Sequence, residues 1–141
     1  MINITLTDYW MNRDLKYRGE LTQPLRDNAA NTVQRVNAVL MRAAQSGVVL
    51  EASPVTGTLV SSGWRPAAVN AKTAGAAARS KHMTCQACDI YDPDGMIDDW
   101  AMEHLTVLEQ AGLWLEHPSA TKNWAHFQTV APKSGKRVFY P

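Results

Sequence analysis

A long amphipathic segment lies in the first third of the chain. Its apolar side chains recur at three- and four-residue steps, at Leu25, Ala29, Val33, Val36, Leu40 and Ala43. This spacing predicts one face of a helix. Pro24 suits the first turn, Thr22 or Gln23 can cap it, and the helix ends at Gly47. Such a helix needs a second layer against which its apolar face can be buried.

The rest of the chain contains short segments of strand-forming residues separated by turn signals. Strands are predicted at 58–62, 86–91, 113–116, 124–128 and 136–140, and a further strand can begin at 48–50. Helices are predicted at 66–72 and from a cap at Asp98 to Ala111, closed by Gly112. The Ala/Gly-rich stretch 73–79 is interpreted as a loop. Together these elements predict an α+β fold with helices packed on a small antiparallel sheet.

Composition bounds the size and the partners of this fold. The 141 residues are 45% hydrophobic and 19% charged, so we expect one domain spanning residues 1–141. Within it, residues 1–20 form a lead-in that Tyr9, Trp10 and Tyr17 anchor to the body. A net charge of +1 provides no global field for nucleic acid or an anionic membrane, and neither partner is expected. We expect a monomer.

The sequence shows neither a targeting segment nor a disulfide framework. No apolar run approaches the roughly 20 residues that span a bilayer, and Met1–Asp8 lacks the basic start of a signal peptide. We therefore expect a chain that stays in the cytoplasm and does not insert into a membrane. Only Cys85 and Cys88 are cysteines. A strand around them would send the thiols to opposite faces, which argues against a redox or structural-zinc pair.

Three potential metal ligands stand on separate segments. Six residues separate His82 from Asp89, and His126 follows 37 positions after that aspartate. Two imidazole nitrogens and one carboxylate oxygen suit zinc with an open fourth position, the ligand count of a catalytic site. Strand alternation places Cys85, Ala87 and Asp89 on one face, where the small alanine leaves room for metal and substrate. If the His126 strand is adjacent, the three ligands meet, which predicts a zinc hydrolase.

The segment around these ligands resembles a known family signature. Ser80-x-His82-x-x-Cys85-x-Ala87-x-Asp89 is similar to the Ser-x-His-x-x-Gly-x-Ala-x-Asp pattern of the zinc D-Ala-D-Ala carboxypeptidase and L-alanyl-D-glutamate endopeptidase family, which includes many phage endolysins. Residues 61–65 and 124–126 resemble two further segments of that family. The resemblance covers 61–128 and implies the fold that these peptidases share with hedgehog proteins.

The resemblance also implies roles for individual residues. It makes His82, Asp89 and His126 zinc ligands, and its substrates are peptide bonds that contain D-amino acids. Arg65 matches a substrate-binding arginine, and Ser80 matches a position beside the metal that contacts substrate. Each of the latter two has a structural alternative, since Arg65 can be an ion-pair partner within the fold and Ser80 can cap a turn.

Two positions depart from the family pattern. Several relatives place Glu or Asp three residues before the final His, whereas this chain has Asn123 there, and a neutral amide cannot act as a general base. Glu116 is the preferred substitute because it ends a strand that can face His126. The alternatives are His117, Asp92 and Asp94. The second departure is Cys85 in place of glycine, which adds strain if the position requires a positive φ.

These observations favour a zinc peptidase that cuts peptidoglycan stem peptides. Because the bacterial wall lies outside the cytoplasm, we expect a phage or prophage lysis enzyme released through a holin pore, or alternatively a virion-associated module that opens the wall. One alternative function is a non-catalytic virion or tail module that retains the fold, an interpretation that Asn123 keeps open. Another is a dipeptidase or carboxypeptidase for small D-Ala-D-Ala compounds.

Overall fold

The computed structural model describes residues 3–141 and contains six helices and five strands in that range. The helices are α1 (Leu6–Trp10), α2 (Arg13–Lys16), α3 (Gln23–Gln45), α4 (Ala67–Lys72), α5 (Met96–Glu103) and α6 (Leu105–Ala111). The strands are β1 (Val60–Ser62), β2 (Ala87–Asp92), β3 (Trp114–Glu116), β4 (Asn123–Gln128) and β5 (Val138–Phe139). Short 3₁₀ turns occupy Arg18–Glu20 and Pro118–Ala120. This mixed arrangement confirms the α+β prediction.

Helix α3 follows the predicted apolar face. The Thr22 side chain accepts a hydrogen bond from the Leu25 amide at the start of the helix, as the capping prediction required. The residues of α3 that face the core are Ala29, Thr32, Val33, Val36, Val39, Leu40 and Ala43. Gly47 follows the helix with a φ of +99°, a conformation that glycine adopts without strain. The long helix therefore begins and ends where its sequence predicts.

The five strands form one sheet in the order β1-β2-β4-β3-β5. The pairs β1/β2, β2/β4 and β3/β4 are antiparallel, whereas β5 lies parallel to β3. The parallel pair departs from the expected antiparallel sheet. The parallel pairing follows from the connection 129–137. Because β3 is antiparallel to β4, β4 ends at the edge of the sheet where β3 begins. The connection keeps the chain at this edge, so β5 starts beside the start of β3 and runs in the same direction.

Two local predictions are wrong. Residues 48–50 form no strand, because the Val48 amide donates to the Ala43 carbonyl and closes α3 instead of entering a ladder. Asp98 does not cap a helix, since α5 has already begun at Met96. The N-cap position is Gly95. The capping hydrogen bonds come from Asp92 upstream, whose two carboxylate oxygens accept from the amides of Ile97 and Asp98, each at 2.9 Å.

The helix predicted from Asp98 to Ala111 is also divided in two. His104, with a φ of −131°, separates α5 from α6. Its ring nitrogen Nδ1 donates to the Trp100 carbonyl at 2.7 Å, and the two rings stack at 4.2 Å. This local contact satisfies a carbonyl at the break. Gly112 closes α6 in the left-handed conformation, as predicted. The loop interpretation of 73–79 is confirmed.

The N-terminal segment packs against the start of β2 and against the chain around Gly63. Tyr9 is fully buried, and its hydroxyl donates to the Ala87 carbonyl at 2.7 Å. Its backbone carbonyl accepts from the Trp64 amide at 3.1 Å. A Cβ at Gly63 would collide with the same carbonyl oxygen, so only glycine fits there. Trp10 packs edge-on against Trp64, and both aromatic anchors support the chain near residue 63.

The helices cover the sheet with one cluster of buried apolar residues. Its largest fully buried side chains come from helices, strands and the segments between them, and include Trp64, Tyr9, Phe127, Ile4, Leu40 and Ile90. Within residues 3–141 no helix is both long enough and apolar enough to cross a bilayer. The face of β2 and β4 that carries Asp89 and His126 holds the polar cluster described next.

Candidate metal centre

Three of the predicted residues converge at the middle of the sheet. Asp89 on β2 lies directly opposite His126 on β4 in the antiparallel register, and opposed residues of such a pair point to the same face. His82 reaches the pair from the loop before β2. One ligand atom from each residue can be chosen so that all three lie within 4.8 Å of one another. The strand adjacency on which the predicted site depends is therefore present.

The carboxylate of Asp89 lies between the two imidazoles. Its Oδ2 is 3.2 Å from Nε2 of His82, and its Oδ1 is 2.7 Å from Nδ1 of His126. All three side chains are nearly buried, with side-chain exposures of 3% for His82 and 12% for the other two. The cluster therefore presents two nitrogens and a carboxylate at short range within a largely dry environment.

The far nitrogen of each ring also has a partner. Nδ1 of His82 lies 2.8 Å from the Gly63 carbonyl, so this nitrogen donates its proton and leaves the Nε2 lone pair toward Asp89. Nε2 of His126 lies 3.0 Å from Oε1 of Gln128. Both rings are thus held from behind, as is usual for imidazoles that bind metals.

Charge interactions within the cluster are strong. Burial by itself would raise the pKa of Asp89, but His82 and His126 reverse this and hold that pKa well below its ordinary value. Burial likewise opposes protonation of His126, yet the neighbouring Asp89 carboxylate raises the pKa of this imidazole to about 9. The carboxylate is therefore held in its ionised form, and its negative charge favours the protonated form of His126.

One atom of the cluster is left without a hydrogen bond. Nε2 of His82 is buried and, although close to Asp89, lacks hydrogen-bond geometry to any partner among the described residues. A buried polar atom without a partner is costly, and a bound cation would satisfy it. With Asp89 ionised and two imidazoles available, the donor set fits zinc and leaves a fourth coordination position open.

A cleft of about 1000 Å³ opens over this cluster. It is lined by the three cluster residues, by parts of the loop 74–82, by Glu116 and by residues 132–134 and 139–141. The ring of Phe139 lies edge-on to His126 at 6.1 Å, and the exposed Tyr140 stacks on His117 at 4.5 Å. A peptide-sized ligand entering the cleft would reach the ion site directly.

Glu116 alone among the proposed bases lines this cleft. Burial raises the pKa of the Glu116 carboxyl. His126 lowers this pKa and Asp89 raises it, which means that Glu116 lies within electrostatic reach of the cluster. Asp92 is occupied by capping α5. Asp94 is exposed outside the cleft, and Nδ1 of His117 bonds to Ser119. The structure thus brings Glu116 to the site and leaves the other three candidates outside it.

The two proposed substrate-binding residues occupy different places. Ser80 lines the cleft, and its hydroxyl also accepts from the His82 amide at 3.2 Å, which orders the ligand loop. Arg65 is 8% exposed and does not line the cleft. Its guanidinium makes no ion pair within residues 3–141, and its Nε has no hydrogen-bond partner there. Burial lowers the pKa of Arg65, whereas Asp89 raises it.

Cys85 stands in the left-handed conformation, with a φ of +59°. This is the conformation for which the family signature supplies glycine, and a side chain there costs on the order of 1 kcal/mol. Because Cys85 precedes β2, strand alternation does not determine its side, and its thiol belongs to the buried apolar core. Burial raises the pKa of its thiol to about 12, which suits an unreactive packing residue.

Sequence reasoning missed two residues that support the histidines. Gln128 follows His126 by two positions on β4, and period-two alternation could have placed it on the same face. Gly63 contributes a backbone carbonyl, for which the sequence carries no signal. Both act on the outer nitrogens of the imidazoles.

Most of the chain matches a protein-family model. The model described as Peptidase M15 matches residues 19–128, most of the chain. The chain belongs to the Peptidase M15 family. The match includes all three cluster residues and Glu116, and ends at Gln128, before β5. Peptidase M15 members are zinc-dependent, so the protein is a zinc metallopeptidase, in agreement with the cluster's donor set. No significant match is found among curated proteins or solved structures.

Proposed function

We propose that the protein hydrolyses amide bonds in the stem peptides of bacterial peptidoglycan, with zinc held by His82, Asp89 and His126. The observation that carries this proposal is the convergence of these three side chains at the base of an open cleft that also contains Glu116. When bound, zinc supplies a Lewis acid that polarises the scissile carbonyl and acidifies water.

The protein's own residues then supply positioning and proton transfer. The Glu116 carboxylate takes a proton from the attacking water and passes it to the leaving amine nitrogen, so the amide bond breaks as the carboxyl group forms. Burial raises the pKa of Glu116 above that of an ordinary carboxyl, which makes the carboxylate a better proton acceptor. The near-complete burial of the three cluster side chains limits the access of water to the ion site from the protein side.

The charges around the cleft support an acidic substrate. Arg79, Lys81 and Lys133 line it, whereas its acidic residues are Asp89 of the cluster and Glu116. Stem peptides carry carboxylates on D-glutamate and at the C-terminus, and such groups pair with basic side chains. Arg65, which we propose as a substrate-binding residue beside the cluster, has a free Nε within the described chain. Ser80 is proposed to contact substrate at the edge of the ion site.

The cellular role follows from the substrate. We propose a phage or prophage lysis enzyme that reaches the wall through a holin pore, with a virion-borne wall-opening module as the alternative setting. The bond cleaved, either D-Ala-D-Ala or L-alanyl-D-glutamate, distinguishes the carboxypeptidase type from the endopeptidase type.

Mass spectrometry of peptidoglycan fragments tests the substrate and the bond together. Purified muropeptides and the free D-Ala-D-Ala dipeptide are incubated with the protein, with and without a chelator. We expect metal-dependent new amino termini in the muropeptides. Cleavage of the dipeptide alone would instead identify an enzyme for small D-Ala-D-Ala compounds.

A second candidate function rests on Asn123. This position has a φ of +78° and an exposed side chain, and it carries no acid where several relatives have one. A non-catalytic module of a virion or tail would retain the fold and the ion without turnover. Zinc-loaded protein that binds muropeptides but leaves all of them intact would favour this module.

A further inference from the structure

The second imidazole of the cluster is contacted from behind by a buried amide. Oε1 of Gln128 lies 3.0 Å from Nε2 of His126, and Gln128 is only 6% exposed. The two residues are separated by one position on β4, so their side chains share a face of the sheet. The contact is therefore built into the strand and does not depend on a loop.

A second contact fixes which way the Gln128 amide points. Its Nε2 lies 2.7 Å from the carbonyl oxygen of Val130. A carbonyl oxygen can only accept, so the amide nitrogen faces Val130 and the amide oxygen faces His126. The amide oxygen also only accepts, and the ring nitrogen opposite it therefore carries a proton. Nε2 of His126 is the donor in this contact.

The tautomer of the neutral ring follows from that proton. Nδ1 also faces an acceptor, the Asp89 carboxylate at 2.7 Å, so it is the nitrogen that must give up its proton when the ring binds a cation. Gln128 retains the proton on Nε2, and the lone pair of the ring then lies on Nδ1. His82 has the opposite arrangement, since its Nδ1 donates to Gly63 and its Nε2 faces the cluster. The two histidines thus present different nitrogens to the same point.

We infer that Gln128 is a positioning residue that fixes His126 as a zinc ligand through Nδ1; this inference rests on the zinc site proposed above. The amide accepts from Nε2–H, selects one tautomer and holds the ring plane toward Asp89. A ring without this acceptor can rotate and can populate the other tautomer, which has no lone pair toward the ion. Loss of such a supporting hydrogen bond typically weakens metal affinity 10- to 100-fold.

Substitution of Gln128 separates this role from a merely structural one. Zinc dissociation constants are measured by competition with a chromophoric chelator for wild type, Q128L, Q128E and the exposed control Q110L. We expect Q128L to bind zinc about 10- to 100-fold more weakly and Q110L to match wild type. Q128E should stay close to wild type, because a carboxylate accepts from Nε2–H although it cannot donate to Val130. If Gln128 only tied the chain to Val130, Q128E would be as impaired as Q128L.

Nuclear magnetic resonance tests the tautomer directly in wild-type protein. Long-range proton–nitrogen correlations in the zinc-loaded protein should show His126 protonated at Nε2 and ligated through Nδ1. The reverse pattern, or an unchanged zinc affinity in folded Q128L, overturns the inference while leaving the zinc site intact. If wild type binds no zinc, the proposed site fails as well. Should Q128L not fold, the wild-type spectrum and the Q128E affinity decide.

Discussion

Glu116 combines three properties that the proposed chemistry requires of one side chain. It lines the cleft, it is half-buried at the end of β3, and its pKa responds to both His126 and Asp89. Asp89 is the other carboxylate in the cleft lining, and it is committed to the two imidazoles. Proton transfer during hydrolysis is therefore best assigned to Glu116.

Replacing Glu116 with Gln should remove the base while leaving the ion site in place. We expect kcat for stem-peptide hydrolysis to fall by about 10²- to 10⁴-fold, the usual contribution of general acid–base catalysis, with zinc affinity little changed. Steady-state kinetics and chelator competition measure the two quantities. Glu109→Gln, an exposed change on α6, is the matched control, and wild-type turnover in the Glu116 variant would reject the assignment.

At the scale of elements, two buried aspartates at α5 have opposite effects on the folded state. Asp92 caps the helix, while Asp98 is 2% exposed, accepts from Thr121 through Oδ2 and has no hydrogen-bond partner at Oδ1 within the described residues. Burial raises the pKa of Asp98 to about 7, although the Thr121 hydrogen bond lowers it. The ionised form of this side chain is therefore a cost to the folded state.

The stability of the protein should change with pH for this reason. The pKa of Asp98 is higher in the folded chain than its ordinary value of 3.8, so its contribution is present below about pH 4 and is lost as pH rises through about 7. Asp98→Asn should remove this loss and stabilise the protein at pH 8 by up to about 4 kcal/mol, with little effect at pH 4. Urea unfolding at both pH values measures the difference. An equal gain in the exposed Asp99→Asn control would point to general charge repulsion instead.

The C-terminal strand forms part of the cleft but lies outside the family match, which ends at residue 128. β5 pairs with β3, and the His117 amide donates to the Phe139 carbonyl at 2.7 Å. This pairing brings Phe139 to His126 and leaves the 69% exposed Tyr140 at the cleft. The segment can therefore adapt the family's chemistry to a particular peptide.

Truncating Tyr140 should weaken the binding of long substrates. Tyr140→Ala is expected to raise KM for an intact stem peptide about three- to tenfold, the equivalent of one lost aromatic contact, while KM for a dipeptide and the zinc affinity remain near wild type. Initial-rate kinetics on the two substrates provide the comparison. Val55→Ala, at a residue 91% exposed and outside the cleft lining, is the control; equal KM values for Tyr140→Ala and wild type would exclude the contact.

Elements with a strong local pattern could be predicted, and those set by distant contacts could not. The apolar face of α3, the loop 73–79 and the cap at Thr22 all follow from neighbouring residues. The start of α5 depends on a hydrogen bond between Asp92 and the Ile97 amide, five residues later. The direction of β5 depends on the end of the sheet at which the chain leaves β4. In both cases the residues are visible in the sequence, but the tertiary contact that fixes the start of the helix or the direction of the strand is not.

The same distinction holds for the site. Ligand chemistry restricts the residue types that bind zinc, which makes His82, Asp89 and His126 predictable from the sequence. Asp89 and His126 share a face because they lie opposite each other in the β2/β4 register. Gln128 is a common residue type whose role appears only with the orientation of its amide, and Gly63 acts through its backbone. The role of Arg65 is implied by resemblance; its backbone amide donates to the His82 carbonyl, and its side chain is not part of the cleft lining.

At the scale of the whole molecule, the ion site joins segments that are far apart in the chain. His82 comes from a loop, Asp89 from β2 and His126 from β4. A ligand that binds only the folded arrangement stabilises it in proportion to the logarithm of its concentration over Kd. The zinc site should therefore contribute to global stability as well as to catalysis.

Zinc should raise the melting temperature of the protein. At a free concentration of 100 times Kd the stabilisation is about 2.7 kcal/mol, which for a chain of this size corresponds to roughly 5–10 °C. Scanning calorimetry with zinc, with a chelator and with magnesium measures the effect. Magnesium prefers oxygen ligands and should have little influence. The proposed site would be refuted by a melting temperature that is the same with zinc and with chelator.

The contact between Tyr9 and the segment around Gly63 bears on how this enzyme can be trimmed or fused. Residues 3–18 precede the range matched by the family, yet they brace the backbone whose carbonyl orients His82. A fragment cut at residue 19 would retain every residue proposed for chemistry and lose the brace behind one of them. In engineered chimeras, the working unit is therefore longer than the family boundary suggests.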